Sequence, residues 1–343
     1  MRKMKLLSPV DKVDEVEGII EAGTDELYCG LLTQEWHNKY IAGAINRRPG
    51  GGANFTTFDE LQTCINIAHA HGIPVFLTLN EHYYTPVQYP FILDYVDRVV
   101  GMGVDGMMVA DLALLLTLKQ MKVNTKLKII ISTGGTVFNS EAVRFYQDLG
   151  AARIILPRHL TLEEIKDISA RVSGIELETF ILNSRCPNVD GFCTFQHGLA
   201  DKSIQPLYQN ACMLPYDITV AVQGDVDEER ISWKRQHIWQ TVHVDDHPCG
   251  ACALYELNEM NITSVKIVGR GNPTARKIVD IKYLRWLLDF LEDKKPSQEE
   301  FRRVARKLYV DTYGRPCRVY LCYYPEVLLN EWNRQYSSQG LKT

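Results

Sequence analysis

Several familiar signatures are missing from this 343-residue chain, and each absence removes a class of function. No apolar run approaches the ~20 residues of a membrane helix. The N-terminus, MRKMKLLSPVDKVDEVEG, returns to charge after a very short apolar stretch and does not read as a signal peptide. Neither sign of charge dominates. The 38 Lys and Arg against 42 Asp and Glu leave a net charge of −4. That argues against non-specific nucleic-acid binding by the whole surface but leaves room for a local basic groove. There is no H-E-x-x-H, no G-x-S-x-G elbow and no local cysteine-protease signature. No G-x-G-x-x-G follows the first apolar run, which weakens a dinucleotide-binding reading. The chain therefore reads as soluble and cytoplasmic, with no membrane partner.

Cysteine, by contrast, is plentiful. Nine cysteines in a reducing compartment are expected to be free, catalytic or metal-bound rather than disulfide-paired. Five lie between Phe180 and Cys252: Cys186, Cys193, Cys212, Cys249 and Cys252. The first two form C-x6-C in a loop carrying Pro187, Asn188, Asp190 and Gly191, which bends readily enough to bring two sulfurs to one metal. Thiolates are the soft ligands that iron–sulfur clusters and zinc select. The competing zinc set is His243, His247, Cys249 and Cys252, but it leaves Cys186, Cys193 and Cys212 unexplained. The C-x4-C at Cys317 and Cys322 reads as core or surface thiols ahead of a second metal site. Cys64 reads as core.

A strand–helix rhythm fills the rest. Short apolar runs at 5–8, 26–29, 74–79, 106–109, 128–132, 153–156, 175–180 and 264–268 alternate with helical patterns at 13–22, 58–71, 87–102, 112–121, 140–149, 161–171 and 277–291. Thr56 or Thr57 is placed to cap the second of these, and T-x-x-E at 161–164 to open the sixth. Residues 31–55 read as a long loop. AGTDELYCG, MGVDGMMVA, LGAARIILP and MNITSVKIVG repeat one helix-to-strand junction, so the unit is β/α. Eight such strands predict an α/β protein of the (β/α)8 TIM-barrel type, with a doubly wound open sheet as the alternative. The chain divides into one barrel domain over 1–343, an insertion at 181–263 and a C-terminal extension at 295–343. Within the insertion, runs at 218–222 and 239–244 predict a β-hairpin around the acidic turn GDVDEER. That hairpin would bring Cys212 and Cys249 towards Cys186 and Cys193.

In a barrel of this type the active site lies where the strands end. Those positions carry Asn80, Glu81, Asp111, Ser132, Thr133, Arg158, His159, Glu178, Asn183, Lys266 and Arg270. Asp111 could equally be a helix cap. The set predicts a pocket for a polar small molecule or nucleotide. Arg158 and Lys266 would bind an anionic group, Glu178 would transfer a proton, Asp111 would join the catalytic group, and Asn80, Ser132, Asn183 and Arg270 would bind substrate.

LLSP at 6–9, ANF at 53–55, TLN at 78–80, VAD at 109–111, IST at 131–133, LPRHLTLEEI at 156–165, ELETF at 176–180 and KIVGR at 266–270 together resemble peptidase family U32, the collagenase-like proteins. The resemblance implies that Cys186, Cys193, Cys212 and Cys249 hold a [4Fe–4S] cluster, as in members that hydroxylate quinone precursors or RNA bases without dioxygen. Counted back from Lys266, Cys249 rather than Cys252 falls in the family's register. The chain departs from the family at ILN 181–183, at CMLPY 212–216 and at Arg158–His159–Leu160–Thr161, which puts the substrate in question. The expectation is an iron–sulfur enzyme that hydroxylates or otherwise modifies a small molecule or an RNA base. The alternatives are a collagenase-like protease and a zinc-stabilised partner-binding protein. As partners the resemblance offers a substrate of that kind and a homodimer or a heterodimer with a paralogue.

Overall fold

The eight apolar runs become eight parallel strands that close in sequence order, the first pairing with the last. They are β1 (Lys5–Pro9), β2 (Glu26–Cys29), β3 (Val75–Leu79), β4 (Gly106–Val109), β5 (Lys128–Ile131), β6 (Arg153–Ile155), β7 (Glu176–Leu182) and β8 (Ser264–Ile267). The computed structural model describes residues 4–40, 44–48, 52–183, 186, 188–193, 227–239, 248–318 and 321–328. Closure rules out the open doubly wound sheet.

Helices follow the strands: α1 (Val16–Glu21), α2 (Gln34–Lys39), α3 (Phe58–Ala70), α4 (Tyr89–Gly101), α5 (Leu112–Gln120), α6 (Ser140–Asp148) and α7 (Leu162–Arg171). Beyond β7 come α8 (Glu228–Trp239), α9 (Leu254–Glu259), α10 (Thr274–Lys294) and α11 (Gln298–Tyr313). Local chemistry fixes their starts. Thr57 and Thr161 each form a complete capping box, with Glu60 and Glu164, satisfying backbone donors that the first turn leaves open. The helices between successive strands turn apolar residues to the barrel, as Leu61, Cys64, Ile65 and Ala68 do on α3.

Two expectations are corrected. The segment 31–55 contains α2, capped by Thr33. The acidic stretch read as a hairpin turn instead opens α8 at Glu228, and Trp239 closes that helix rather than starting a strand. Glu228 and Glu229 in the first turn and His237 in the last suit a helix dipole, so helix wins locally. The runs at 218–222 and 240–244 lie outside the described residues, as do Cys212, His243 and His247.

Candidate active site

The lumen of such a barrel is ordinarily filled by branched aliphatic side chains. Here it carries charge. Arg153 on β6 forks onto both carboxylate oxygens of Glu26 on β2 at 2.7 and 2.8 Å. β2 and β6 are not neighbours in the barrel order, so this pair crosses the interior. Arg153 also donates to Glu176 at 2.7 Å and to Glu178 at 3.1 Å. Lys5 and Lys128 approach Glu26 and Glu176 from the half-exposed N-terminal side.

One layer higher, Lys266 on β8 spans the lumen to the Met108 sulfur on β4 at 3.0 Å, and its ammonium lies 4.0 Å from the centre of the Tyr28 ring. Its Nζ stands 3.7 Å from Glu178 Oε1, near enough to pair but too far for a hydrogen bond. That oxygen is fully buried and has no hydrogen-bond partner. Burial raises Glu178 above the ordinary carboxylate range, against the pull of Lys266 and Arg153. Burial lowers Lys266 to about 8, only partly offset by Glu178. A carboxylate pushed up beside an ammonium pushed down is an arrangement suited to proton exchange between them.

Phe180 links this pair to the mouth, with Lys266 5.9 Å and the Arg158 guanidinium 4.9 Å from its ring centre. Arg158 is clamped by Asp190 through two side-chain bonds, of 2.6 and 3.0 Å, and one backbone bond of 2.8 Å. Burial works to raise Asp190, but Arg158 overcomes it and holds the carboxyl at about 2. At the same end, Arg270 donates to Thr78 at 2.8 Å and to Asn46 and Asn54 at 3.3 and 3.2 Å. Burial lowers its guanidinium to about 10. Asn80 donates to Ser132 at 3.1 Å, and Arg47 reaches Thr133 at 3.3 Å.

The predicted residues thus fall into connected groups. Glu178, Lys266 and Arg158 meet around Phe180, Asn80 joins Ser132, and Arg270 sits within electrostatic reach of Lys266. Asp111 caps α5 through Leu114 and also accepts from the Tyr84 backbone and the Tyr89 hydroxyl. Asn183 turns to α10, donating to Asp280 at 2.7 Å. Sequence reasoning missed Arg153, the partnership of Asp190 with Arg158, and Asn46 and Asn54. Only ANF at 53–55 pointed towards the last of these.

Cys186 and Cys193 are half-buried thiols in no disulfide, on the segment that Asp190 ties to the mouth, and Cys186 lies within electrostatic reach of Arg158. Gly191 lets that segment pass close: φ is +87°, and a Cβ there would meet Thr136 at 2.1 Å. Cys249 is buried against Tyr283, with Cys252, Cys317 and Cys322 as neighbours. Among the described residues, no three His, Cys, Asp or Glu side chains already stand as a metal-holding group. A cysteine pair on a segment tied to a buried cation is chemically compatible with a thiolate-held cluster, whose anionic charge that cation would offset.

The fold and site define a (β/α)8 barrel with a charged lumen, a cationic mouth and a cysteine-bearing segment after β7. The chain belongs to peptidase family U32, whose family model matches residues 11–329. It is similar to tRNA hydroxylation protein P of Escherichia coli, 28% identical over 66% of this chain and 47% of that protein. It is also similar to tRNA hydroxylation protein P1 of Bacillus subtilis, 24% identical over 78% and 59%. A third relative is the 23S rRNA 5-hydroxycytidine synthase of Escherichia coli, 24% identical over 78% of this chain and 36% of that protein. The chain thus spans about half or less of the length of two of these relatives and less than two thirds of the third.

Proposed function

We propose that this protein hydroxylates a base in RNA, with the reacting base held at the barrel mouth. The observation that carries this reading is the buried Glu178–Lys266 pair opening through Phe180 onto Arg158 and the cysteine segment. Relatives named for hydroxylation of tRNA and rRNA support the same chemistry. Cys186, Cys193 and Cys212 would supply thiolates to an iron–sulfur cluster, which when bound offers single-electron transfer tuned by burial and hydrogen bonds. Cys249, the fourth position in the family register, would complete that set.

Within the chain's own residues, Lys266 and Arg270 attract an anionic group of the substrate or co-substrate. Glu178 takes or returns a proton through Oε1, which has no hydrogen-bond partner. Asn80 and Ser132 offer donors and acceptors to a base edge, and Phe180 offers a ring face. Against a cysteine-peptidase reading at Cys29, Cys64, Cys249, Cys252 or Cys317, burial raises each of these thiols away from the thiolate form a nucleophile needs.

The test is a nucleoside inventory of tRNA and rRNA from cells lacking the protein, then supplied with the parent chain or with Lys266→Ala. A hydroxylated nucleoside should vanish, return with the parent chain and stay absent with Lys266→Ala. An unchanged inventory, together with hydrolysis of a peptide substrate by the purified protein, would replace this reading with the peptidase one.

A further inference from the structure

The insertion after β7 leaves the barrel and returns to it at one place. Its exit at 181–183 and its return at 248–250 run antiparallel, with Gly250 N donating to Ile181 O at 2.8 Å and Asn183 N to Pro248 O at 2.8 Å. Cys249 stands between those two bonds, and its own backbone groups point the other way. Cys249 N donates to Leu321 O at 2.9 Å, and Cys249 O accepts from Tyr323 N at 3.1 Å. Its N–H and its C=O are thus both engaged by the segment 321–328, beyond α11.

Tyr323 holds the exit as well as the return. Its hydroxyl donates to Asn183 O. Asn183 sits at φ +65°, in the left-handed region that asparagine tolerates better than most residues but that still needs support. That support comes from two sides, from Tyr323 on its carbonyl and from Asp280 of α10, which accepts from its side-chain amide at 2.7 Å. The packing is close: a Cβ on Gly250 would stand 3.0 Å from the Tyr324 ring and 3.2 Å from Tyr323 Cβ. Further along, the Tyr324 hydroxyl donates to Phe180 O at 3.4 Å, and Glu326 Oε1 accepts from Leu162 N at 2.8 Å. Leu162 opens α7, the helix that follows Arg158. The segment therefore runs from α11 past the end of β7 to the start of α7.

We propose that Tyr323 is a positioning residue, and that through it the segment 321–328 acts as a clasp that sets where Cys249 stands and closes the neck of the cysteine-bearing insertion. Leu321, Cys322, Tyr323, Tyr324 and Val327 are buried, so the segment is part of the packed molecule. Covering apolar surface would need no more than phenylalanine rings. Here two tyrosine hydroxyls and a carboxylate are spent on backbone groups of β7, of the residue after it and of α7, where a buried carbonyl or N–H is costly to leave unmet. Cys186 lies three residues beyond Asn183, so both ends of the insertion leave from the point that Tyr323 grips. The clasp stands independently of the reaction proposed above.

Hydrogen exchange on the full, chelator-treated chain reads the clasp directly. In the parent, amides at 248–250 and 321–324 should open in one step with one denaturant dependence, distinct from that of β3 and β4. Tyr323→Phe keeps the ring and removes the hydroxyl. It should speed exchange at 183 and 248–250 by about fivefold or more, as loss of one hydrogen bond gives, and leave β3 and β4 unchanged. Glu326→Ala should act in the same direction, whereas Glu326→Gln, whose amide oxygen still accepts from Leu162 N, should exchange as the parent does. Exchange at 248–250 indifferent to Tyr323→Phe, or a different denaturant dependence in the two segments, would overturn the clasp. A second readout rests on the iron–sulfur reading. In protein purified without oxygen, Tyr323→Phe should keep its iron but shift the paramagnetic resonance of the reduced protein, and Cys64→Ser, a destabilising change in the core, should not. An unshifted signal with iron present would overturn the positioning role. A parent chain without iron would count against the cluster alone, and the exchange measurement would still decide the clasp.

Discussion

Burying a guanidinium costs several kcal/mol unless carboxylates meet it with good geometry, and Arg153 meets three: Glu26, Glu176 and Glu178. Removing it leaves the buried carboxylates of Glu26 and Glu178 without the guanidinium that hydrogen-bonds both. Arg153→Met should lower stability by about 3–5 kcal/mol, read from denaturant unfolding. Arg153→Lys should recover little of this, because an ammonium cannot reproduce the fork onto Glu26. Lys266 makes a different prediction. Its proton is held in the native protein only up to about 8, against an ordinary value of 10.5. Below about pH 8 both folded and unfolded chains carry the charge, and the native state bears the cost of burying it. Between about 8 and 10.5 only the unfolded chain keeps the proton, so this group's contribution to stability improves as pH rises through that window. Anion binding runs the opposite way. Affinity for inorganic phosphate should fall as pH rises through about 8 and hold at a lower level while Arg270 stays charged. Calorimetric titration of the parent chain and of Lys266→Arg should show that inflection only in the parent. An inflection in both would assign it elsewhere.

At the level of elements, the buried Asp190–Arg158 ion pair ties the segment bearing Cys186 and Cys193 to the mouth. Asp190 titrates at about 2, below its ordinary 3.8, so its contribution is fully present above about pH 4 and is lost as pH falls towards 2. Asp190→Ala removes it at neutral pH and leaves Arg158 without its clamp. The expected cost is about 3 kcal/mol or more, with proteolytic cleavage near 186–193 appearing before the barrel unfolds. Cleavage unchanged from the parent would mean that other contacts seat the segment. The strands, most helices and both capping boxes could be read from the sequence because their causes are local: apolar runs, helical spacing, Thr followed by Glu. What could not be read depends on closure. Arg153 looks like the polar first residue of an ordinary strand, and its partner Glu26 lies 127 residues away across the lumen. The pairing of Cys322 with Cys249 could not be read because α10 and α11 stand between them in the chain. The helix α2 spans only Gln34–Lys39, too short to show a period. The acidic residues at the start of α8 fit a turn and a helix dipole equally well until the backbone is seen.

At the level of the whole molecule, a net charge of −4 coexists with a mouth that gathers Arg47, Arg48, Arg158, Lys266 and Arg270. Around that mouth, Tyr83 is 64% and Phe192 63% exposed, and Phe192 tilts against Phe138 with ring centres 6.3 Å apart. His82 meets the turn at Gly134, and Thr133 and Thr136 meet Gly191, so the two aromatic positions border one continuous rim. Exposed rings beside a few cations are how proteins hold unpaired bases, by stacking rather than by charge alone. An acidic exterior with a small cationic mouth should contact few phosphates. The logarithm of affinity for a single-stranded RNA oligonucleotide should then fall with the logarithm of salt at a slope of about −1.5 to −2, as two or three phosphate contacts give. Tyr83→Ala and Phe192→Ala should each weaken binding by about 1–3 kcal/mol without changing that slope. Arg47→Ala should lower its magnitude by about 0.7. A steep slope with indifferent aromatic variants would place RNA elsewhere on the molecule and separate the barrel mouth from RNA recognition.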